Sequence, residues 1–239
     1  MKVIGRNAVS ELIKTDRETD KVLVENGLRD GESKKLLAAL RESRCKVQFC
    51  DRTVMDKEAD GMRHQGFIAF VSDYRYCELE DMIKTDGNGM IVLLDGVLDP
   101  HNLGSIIRVC ECASVDGLVI TKHRSAAVTD TVMRISEGGA NHLKIARVTN
   151  LNDAIDELKE RGYWATGAEL GGEDLYSADL TGNLALVIGG EDSGIKRLTK
   201  EKCDRIVQIP MRGKVNSLNA SVACGVVVFE AMRQRYGKR

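Results

Sequence analysis

The feature that most restricts the fold of this chain is the alternation of apolar strands and helices across residues 89–239. The predicted strands include "MIVLLDGV", "GLVIT" and "LALVIGGED", which lack the every-second-residue pattern of a half-exposed strand. Continuous apolar strands separated by helices are typical of a parallel sheet covered on both faces. We therefore predict an α/β fold with a mostly parallel sheet. The last helix contains "ASVACGVVVFEAM", and because this stretch is almost wholly apolar we expect it to be buried.

Residues 1–72 are predicted to form a smaller α/β unit of their own. Helices are expected in "NAVSELIK" and "ESKKLLAALRESR", and strands in "KVLVEN", "CKVQFCD" and "QGFIAFV". Residues 73–88 are rich in charge and end in the turn signal "DGNG", so we assign them to a linker. Residues 89–239 then make up the second domain.

Composition and charge exclude several classes of protein. Hydrophobic residues make up 43% of the chain and charged residues 30%, which is typical of a globular protein. The sequence has neither an apolar run of transmembrane length nor a signal sequence, so we expect a cytoplasmic protein without a membrane partner. None of the seven cysteines forms a C-x-x-C pair, and we interpret them as mainly reduced core residues and not as a metal site.

Three polar clusters follow predicted strands of the parallel sheet, where ligands bind in open sheets of this kind. They are "DPHNLGSIIR", "IGGEDSGI" and "IPMRGKVNSLNAS". Each cluster alone is equally compatible with ordinary turn and helix-capping chemistry. Arg108 lies six residues after Asn102, one turn or so into the predicted helix, so both side chains can face the mouth above the strand ends. Neither glycine pattern of a dinucleotide or P-loop site occurs, which argues against a nicotinamide dehydrogenase.

Together the three clusters resemble the three motifs of the SpoU branch of the SPOUT RNA methyltransferases. The first motif is matched by "NLGSIIR", the second by the Gly-x-Glu-x-x-Gly of "GGEDSG", and the third by "IPMRG" followed by "SLNAS". Over nearly its whole length the chain looks like the RlmB type, which methylates a guanosine ribose of 23S ribosomal RNA. "VIGRNAV" and "HQGFIAFV" are similar to the RNA-binding domain of that type. The chain departs from the family pattern at Gly190, Asp192 and Asn216.

The resemblance implies S-adenosylmethionine as cofactor, RNA as substrate, a ribose 2′-hydroxyl as methyl acceptor and no metal. It further implies a homodimer, no DNA partner, an RNA-binding role for residues 1–72 and a deep trefoil knot in residues 89–239. The catalytic residues that it implies are Asn102, Arg108, Glu191, Ser217 and Asn219. The cofactor would be held largely by backbone groups at Gly167, Gly189, Ile209 and Leu218.

Several alternatives stay open at this point. The substrate can be transfer RNA, because the chemistry is shared and only the docking domain would differ, and a non-catalytic RNA-binding protein is a weaker alternative. Arg108 can act as a base or can bind the neighbouring phosphate and stabilise the developing alkoxide. An arginine pKa above ~12 makes the base role difficult. Candidate RNA contacts in the first unit also have structural explanations; they are Arg6, Asn7, Arg63, His64 and Gln65.

Overall fold

The computed structural model describes residues 2–15, 19–43, 45–71, 74–191, 194–215 and 217–237. The chain divides into two compact units, Met1–Tyr74 and Arg75–Arg239. Asp192 and Asn216, two of the departures from the family pattern, lie outside the described residues. In the part of the chain that is described, no helix is long and apolar enough to cross a bilayer.

The first unit is a four-stranded mixed sheet with helices on both faces, in the strand order β1-β4-β2-β3. Only β2 and β3 are parallel. Val22 and Val24 pack towards α1 and α2, whereas Leu23 packs towards α3, as the alternation of side chains along a strand requires. The elements are β1 (Lys2–Ile4), α1 (Arg6–Leu12), β2 (Thr19–Glu25), α2 (Gly31–Glu42), β3 (Val47–Cys50), α3 (Arg52–Ala59) and β4 (Phe67–Val71). The sequence did not predict β1 or α3.

The second unit contains a six-stranded sheet in the order β10-β8-β9-β5-β6-β7, in which every pair is parallel. The predicted α/β class is confirmed. The elements are β5 (Met90–Asp95), α4 (Pro100–Cys112), β6 (Gly117–Thr121), α5 (Asp130–Ile135), β7 (Ile145–Val148), α6 (Leu151–Glu160), β8 (Trp164–Asp174), β9 (Leu184–Gly189), α7 (Arg197–Lys202), β10 (Arg205–Gln208) and α8 (Ala220–Tyr236), with 3-10 turns at Leu79–Met82 and Gly139–Asn141.

Helices cover both faces of this sheet. Ile91 and Leu93 of β5 pack with α6 and with Leu79 and Met82, which lie in the predicted linker sequence. Val92 and the other residues of β5 are equally buried, because α4 and α8 pack together over β6 and β9 on the opposite face. Burial on both faces explains why β5 is apolar without interruption.

The prediction that the last helix is buried is wrong for one of its faces. Cys224 and Val228 of α8 are fully buried, but Val222 and Phe229 are each 50% exposed. A helix that lies on a sheet buries only one stripe of side chains, and α8 is apolar on both sides. The unit therefore presents an exposed apolar face on α8.

Both ends of α8 are fixed to the sheet. At its C-terminal end, the Arg235 guanidinium donates to the carbonyl oxygens of Leu180, Gly182 and Asn88 at 3.2, 2.6 and 3.1 Å. Burial lowers the pKa of Arg235 from its ordinary value. At the N-terminal end, Asn219 caps the helix. The helix thus spans the sheet from the amino to the carboxyl ends of the strands, and it delivers Asn219 to the edge where the polar clusters lie.

Candidate active site

One residue from each of the three motifs meets the others in a hydrogen-bonded row. The Nδ2 group of Asn219 donates to Oδ1 of Asn102 at 2.9 Å, and Nδ2 of Asn102 donates to Oε1 of Glu191. The three residues are contributed by α8, α4 and the loop after β9. Along the chain, Asn219 is 117 residues and Glu191 is 89 residues away from Asn102. We refer to Asn102, Glu191 and Asn219 as the amide–carboxylate row.

Asn102 is placed by a well-defined helix start. Asp99 is the N-cap of α4, its carboxylate accepts from the His101 N–H at 2.9 Å, and Pro100 occupies the first helical turn. Asn102 therefore lies in the first turn and only 7% of its surface is exposed. A buried amide needs hydrogen-bond partners, and Glu191 and Asn219 supply them.

The direction of the row is set at Asn219. Its Oδ1 accepts from the backbone N–H of Ser221 at 2.9 Å and from the Ser221 hydroxyl at 2.6 Å. Because that oxygen caps α8, the Nδ2 group is the one that faces Asn102. The Asn102 amide then turns its own Nδ2 towards Glu191. Every donor in the row points towards Glu191, whose carboxylate accepts at the end of the row.

Arg108 does not join this row. In a single chain its side chain does not face the mouth together with Asn102, so that expectation is wrong for the single chain. Six residues of α-helix rotate a side chain to about 120° from its starting direction. The Arg108 side chain is 59% exposed, and its ion-pair partner is Glu137 at 3.8 Å. Ser217 is also exposed, and within the described ranges neither residue hydrogen-bonds to the row.

Three of the four positions expected to hold the cofactor lie at or beyond the strand ends of the same edge, and the fourth, Gly167, lies within its strand. Gly167 is in β8, Gly189 ends β9, and Ile209 directly follows β10. Leu218 is exposed and immediately precedes the cap of α8. At Gly189 a Cβ atom would lie 2.2 Å from the carbonyl carbon of Gly194, so only glycine allows this close crossing of the loop.

Two carboxylates that the sequence did not single out as site residues hold the loop that carries Glu191. Oε2 of Glu169 accepts from the Ile195 N–H at 2.8 Å. Asp95, which is 2% exposed, accepts from the Lys196 N–H at 2.8 Å and pairs with the Lys196 ammonium group. These contacts fix the end of the loop on β8 and β5. We call Glu169 and Asp95 the loop clamp.

Glu169 reaches the loop because β8 has a β-bulge-like irregularity. The pairing of β10 with β8 shifts from Gly167 to Glu173, so the residues between them leave the regular ladder. At Gly172 a Cβ would lie 2.4 Å from the Ile206 carbonyl oxygen, and only glycine fits there. The "GG" within "ELGGED" is the sequence signal for this irregularity, since glycine inside a strand often marks a bulge.

Two of the candidate RNA contacts of the first unit, Arg6 and His64, have internal partners. Arg6 is ion-paired with two acidic residues at the start of α2, at 2.9 and 2.5 Å. His64 is buried; its Nδ1 accepts from the Gly66 N–H at 3.0 Å, and its Nε2 lies 3.0 Å from the Asp56 carboxylate. The structural explanation holds for His64, which orders the turn that leads into β4.

Comparison with known proteins agrees with this geometry. Residues 89–229 match the model of the SpoU rRNA methylase family, and residues 2–77 match the model of the substrate-binding domain of RNA 2′-O-ribose methyltransferases. A TrmH family tRNA/rRNA methyltransferase by name from Staphylococcus haemolyticus is 41% identical over 98% of this chain and 96% of its own. A similarly named Bacillus subtilis protein is 40% identical over 98% and 95%.

Solved structures give the same result. The SpoU methyltransferase AviRb from Streptomyces viridochromogenes, in complex with S-adenosylmethionine, is 25% identical with a TM-score of 0.65, covering 99% of this chain and 91% of that one. The TrmH/SpoU tRNA modifying enzyme of A. aeolicus is 30% identical with a TM-score of 0.58, covering 67% and 82%.

The residues at the strand ends suit S-adenosylmethionine. Gly189, at the end of β9, offers its peptide groups for hydrogen bonds. Ile209 and Leu218 follow β10, and their apolar side chains are of the kind that packs on an adenine ring. The cofactor is S-adenosylmethionine, which supplies an electrophilic methyl group when bound. With both units matched over nearly all of its length, the chain belongs to the SpoU family of RNA methyltransferases.

Proposed function

We propose that this protein methylates the ribose 2′-hydroxyl of a guanosine in 23S ribosomal RNA. The observation that carries the proposal is the amide–carboxylate row, because an RNA-binding protein without activity has no need for a buried asparagine that joins a carboxylate to a helix cap. The substrate-binding unit at residues 2–77 supports a structured RNA as the substrate. Transfer RNA is the second candidate, since the relatives are named for both RNAs.

In the mechanism we propose, the row prepares Glu191 to receive a proton. A ribose hydroxyl becomes a good nucleophile only as its proton leaves, so a positioned acceptor accelerates the reaction. Asn102 binds one oxygen of the Glu191 carboxylate, Oε1, and thereby sets the direction of the other. Asn219 and the cap of α8 hold Asn102 in turn. Glu191 would take the hydroxyl proton, while the bound cofactor would supply the methyl group to the ribose oxygen and keep the electron pair of the broken methyl–sulfur bond on its sulfur.

We propose that Arg108 acts across a homodimer. Within one chain it points away from the row, and it is exposed enough to contact a second copy. The apolar face of α8, with Val222 and Phe229 exposed, is a surface that pairing would cover. A guanidinium supplied in this way would bind the phosphate beside the ribose and stabilise the developing alkoxide, which requires no loss of its proton.

Mapping 2′-O-methyl positions in ribosomal and transfer RNA, from cells with and without this gene, tests the substrate. We expect one guanosine of 23S RNA to lose its methyl group and every transfer RNA position to keep its own. Loss confined to transfer RNA would establish the second candidate. Unchanged maps of both RNAs would overturn the proposal.

The loop clamp leads to a prediction of its own. Glu169→Ala removes the acceptor for the Ile195 N–H, so Glu191 loses its fixed position and kcat is expected to fall about tenfold, the equivalent of ~1.4 kcal/mol. Glu169→Gln keeps an oxygen acceptor at the same place and should retain most of the activity. Steady-state kinetics of both variants, with urea unfolding to check stability, make the comparison. Equal losses in the two variants would show that the charge matters and the clamp does not.

A further inference from the structure

A short basic loop lies at the same edge of the sheet as the amide–carboxylate row. It consists of Lys122, His123 and Arg124, which directly follow β6. All three residues are exposed. Because β6 is the parallel neighbour of β5, its carboxyl end opens on the same side as the loop that leads into α4. Residues 122–124 are called the basic loop below.

The basic loop is held by its backbone, and the charged ends of Lys122 and Arg124 are exposed. The Lys122 N–H donates to the Val148 carbonyl at 2.8 Å, and the Arg147 guanidinium donates to the Lys122 carbonyl at 3.1 Å. The Thr121 hydroxyl donates to the His123 carbonyl at 2.7 Å. Arg124 adopts a left-handed conformation with a φ of 58°, which sharply turns the chain there. A loop fixed in this way presents its side chains from a constant position.

The same contacts place the basic loop beside the site. The Ala126 N–H, two residues after Arg124, donates to the Val97 carbonyl at 2.8 Å. A Cβ atom at Gly96 would lie 4.0 Å from the Arg124 carbonyl oxygen. Gly96 and Val97 belong to the connection between β5 and α4, the helix that carries Asn102. The basic loop therefore borders the segment that positions the row.

The charge of the basic loop is not cancelled by neighbouring acids. In the ranges that the structure describes, no carboxylate pairs with the side chain of Lys122 or Arg124. Asp95, the buried acid at the end of β5, is already paired with Lys196, so this lysine and this carboxylate neutralise one another. Lys122 and Arg124 thus leave a net positive charge at the edge of the site.

We propose that the basic loop binds backbone phosphates of the RNA close to the nucleotide that is methylated. This inference rests on the proposed function, and it assigns an RNA contact to the catalytic unit itself. The exposed cations Lys122 and Arg124 suit phosphate contacts, which position the RNA without reading its sequence. Arg6 in the first unit, by contrast, is already ion-paired with acidic side chains.

Charge reversal at matched positions tests the inference. Arg124→Glu changes the basic loop, and Arg161→Glu changes an exposed arginine after α6, at the amino end of the strands. For Arg124→Glu we expect the KM for RNA to rise about tenfold, and the slope of log affinity against log salt to fall by about one to two. The kcat at saturating RNA and the affinity for S-adenosylmethionine should stay at the wild-type values, and Arg161→Glu should change none of these quantities.

The outcomes separate this inference from the proposed function. If the wild-type protein methylates RNA and Arg124→Glu shows the same KM and salt slope as Arg161→Glu, the basic loop does not bind RNA. A change in KM without a change in salt slope would also overturn it, since the loop would then act through the structure of the site and not through phosphate contacts. If the wild-type protein transfers no methyl group to RNA, the proposed function fails instead.

Discussion

Replacement of Asn102 by aspartate is expected to lower kcat for methyl transfer by about 10²- to 10³-fold. Asn102 is both donor and acceptor in the amide–carboxylate row, and an ionised aspartate can only accept. The donor to Glu191 would be lost, and two carboxylates would face one another in a pocket where Asn102 is 7% exposed. Repulsion between the two carboxylates would displace Glu191, and this change removes the prepared proton acceptor.

Single-turnover kinetics with saturating RNA and S-adenosylmethionine measure this effect without contributions from product release. The matched control is His101→Ala, which alters the neighbouring exposed side chain of α4 and should retain wild-type kcat. We expect Asn102→Asp to remain folded in urea titrations, with a stability loss of about 1–3 kcal/mol from its unsatisfied partners. Wild-type kcat in a folded Asn102→Asp protein would exclude the row from the chemistry.

Arg108→Ala is expected to abolish methyl transfer, with a loss of about 10³-fold or more, while leaving stability within about 0.5 kcal/mol of wild type. The small stability effect follows from the exposure of the side chain and from its long, 3.8 Å ion pair with Glu137. The large kinetic effect follows from the proposed role, in which the guanidinium neutralises charge that develops on the ribose oxygen.

Mixed dimers decide whether Arg108 acts within its own chain or on the partner. A heterodimer of one Arg108→Ala chain and one Asn102→Asp chain contains one intact site if the arginine crosses the interface, and none if it does not. We expect the purified heterodimer to recover about half the activity of the wild-type dimer, from two inactive parents. If the heterodimer is only as active as the two inactive homodimers, Arg108 acts in the site of its own chain. A protein that is monomeric at assay concentrations would exclude the dimer itself.

The sequence predicted the central elements of the fold because their signals are local. β5 is apolar up to Asp95 and β9 is apolar throughout, whereas the helix expected in "LGSIIRVCECAS" begins earlier than predicted, at Pro100. The sequence also predicts a helix in "TDTVMRISEGGAN" with an exit at glycine, but α5 ends earlier, at Ile135, because Glu137 and Gly138 adopt left-handed conformations. The short helices α3 and α7 were missed, since most of their side chains are exposed and they carry little apolar periodicity.

The candidate site was predicted only in part. The rule that ligands bind at the carboxyl ends of parallel strands brought Asn102, Glu191 and Asn219 together, and the structure joins them by hydrogen bonds. The direction of Arg108 depends on the rotation of α4 about its axis, which the motif does not report. Glu169 depends on a strand irregularity that a pattern of apolar residues does not reveal. The trefoil knot stays a prediction, because a thread through a loop leaves no periodic trace in a sequence.

Product analysis with purified protein tests the central claim most directly. The protein is incubated with 23S ribosomal RNA and methyl-labelled S-adenosylmethionine, and the RNA is then hydrolysed with alkali. A 2′-O-methyl group blocks cleavage of the neighbouring phosphodiester, so the account predicts that the label is recovered in an alkali-stable dinucleotide, and after enzymatic digestion as 2′-O-methylguanosine. Two results would contradict the account. One is label on a base, which alkali would release in a mononucleotide, and the other is no transfer of label to RNA by the folded protein.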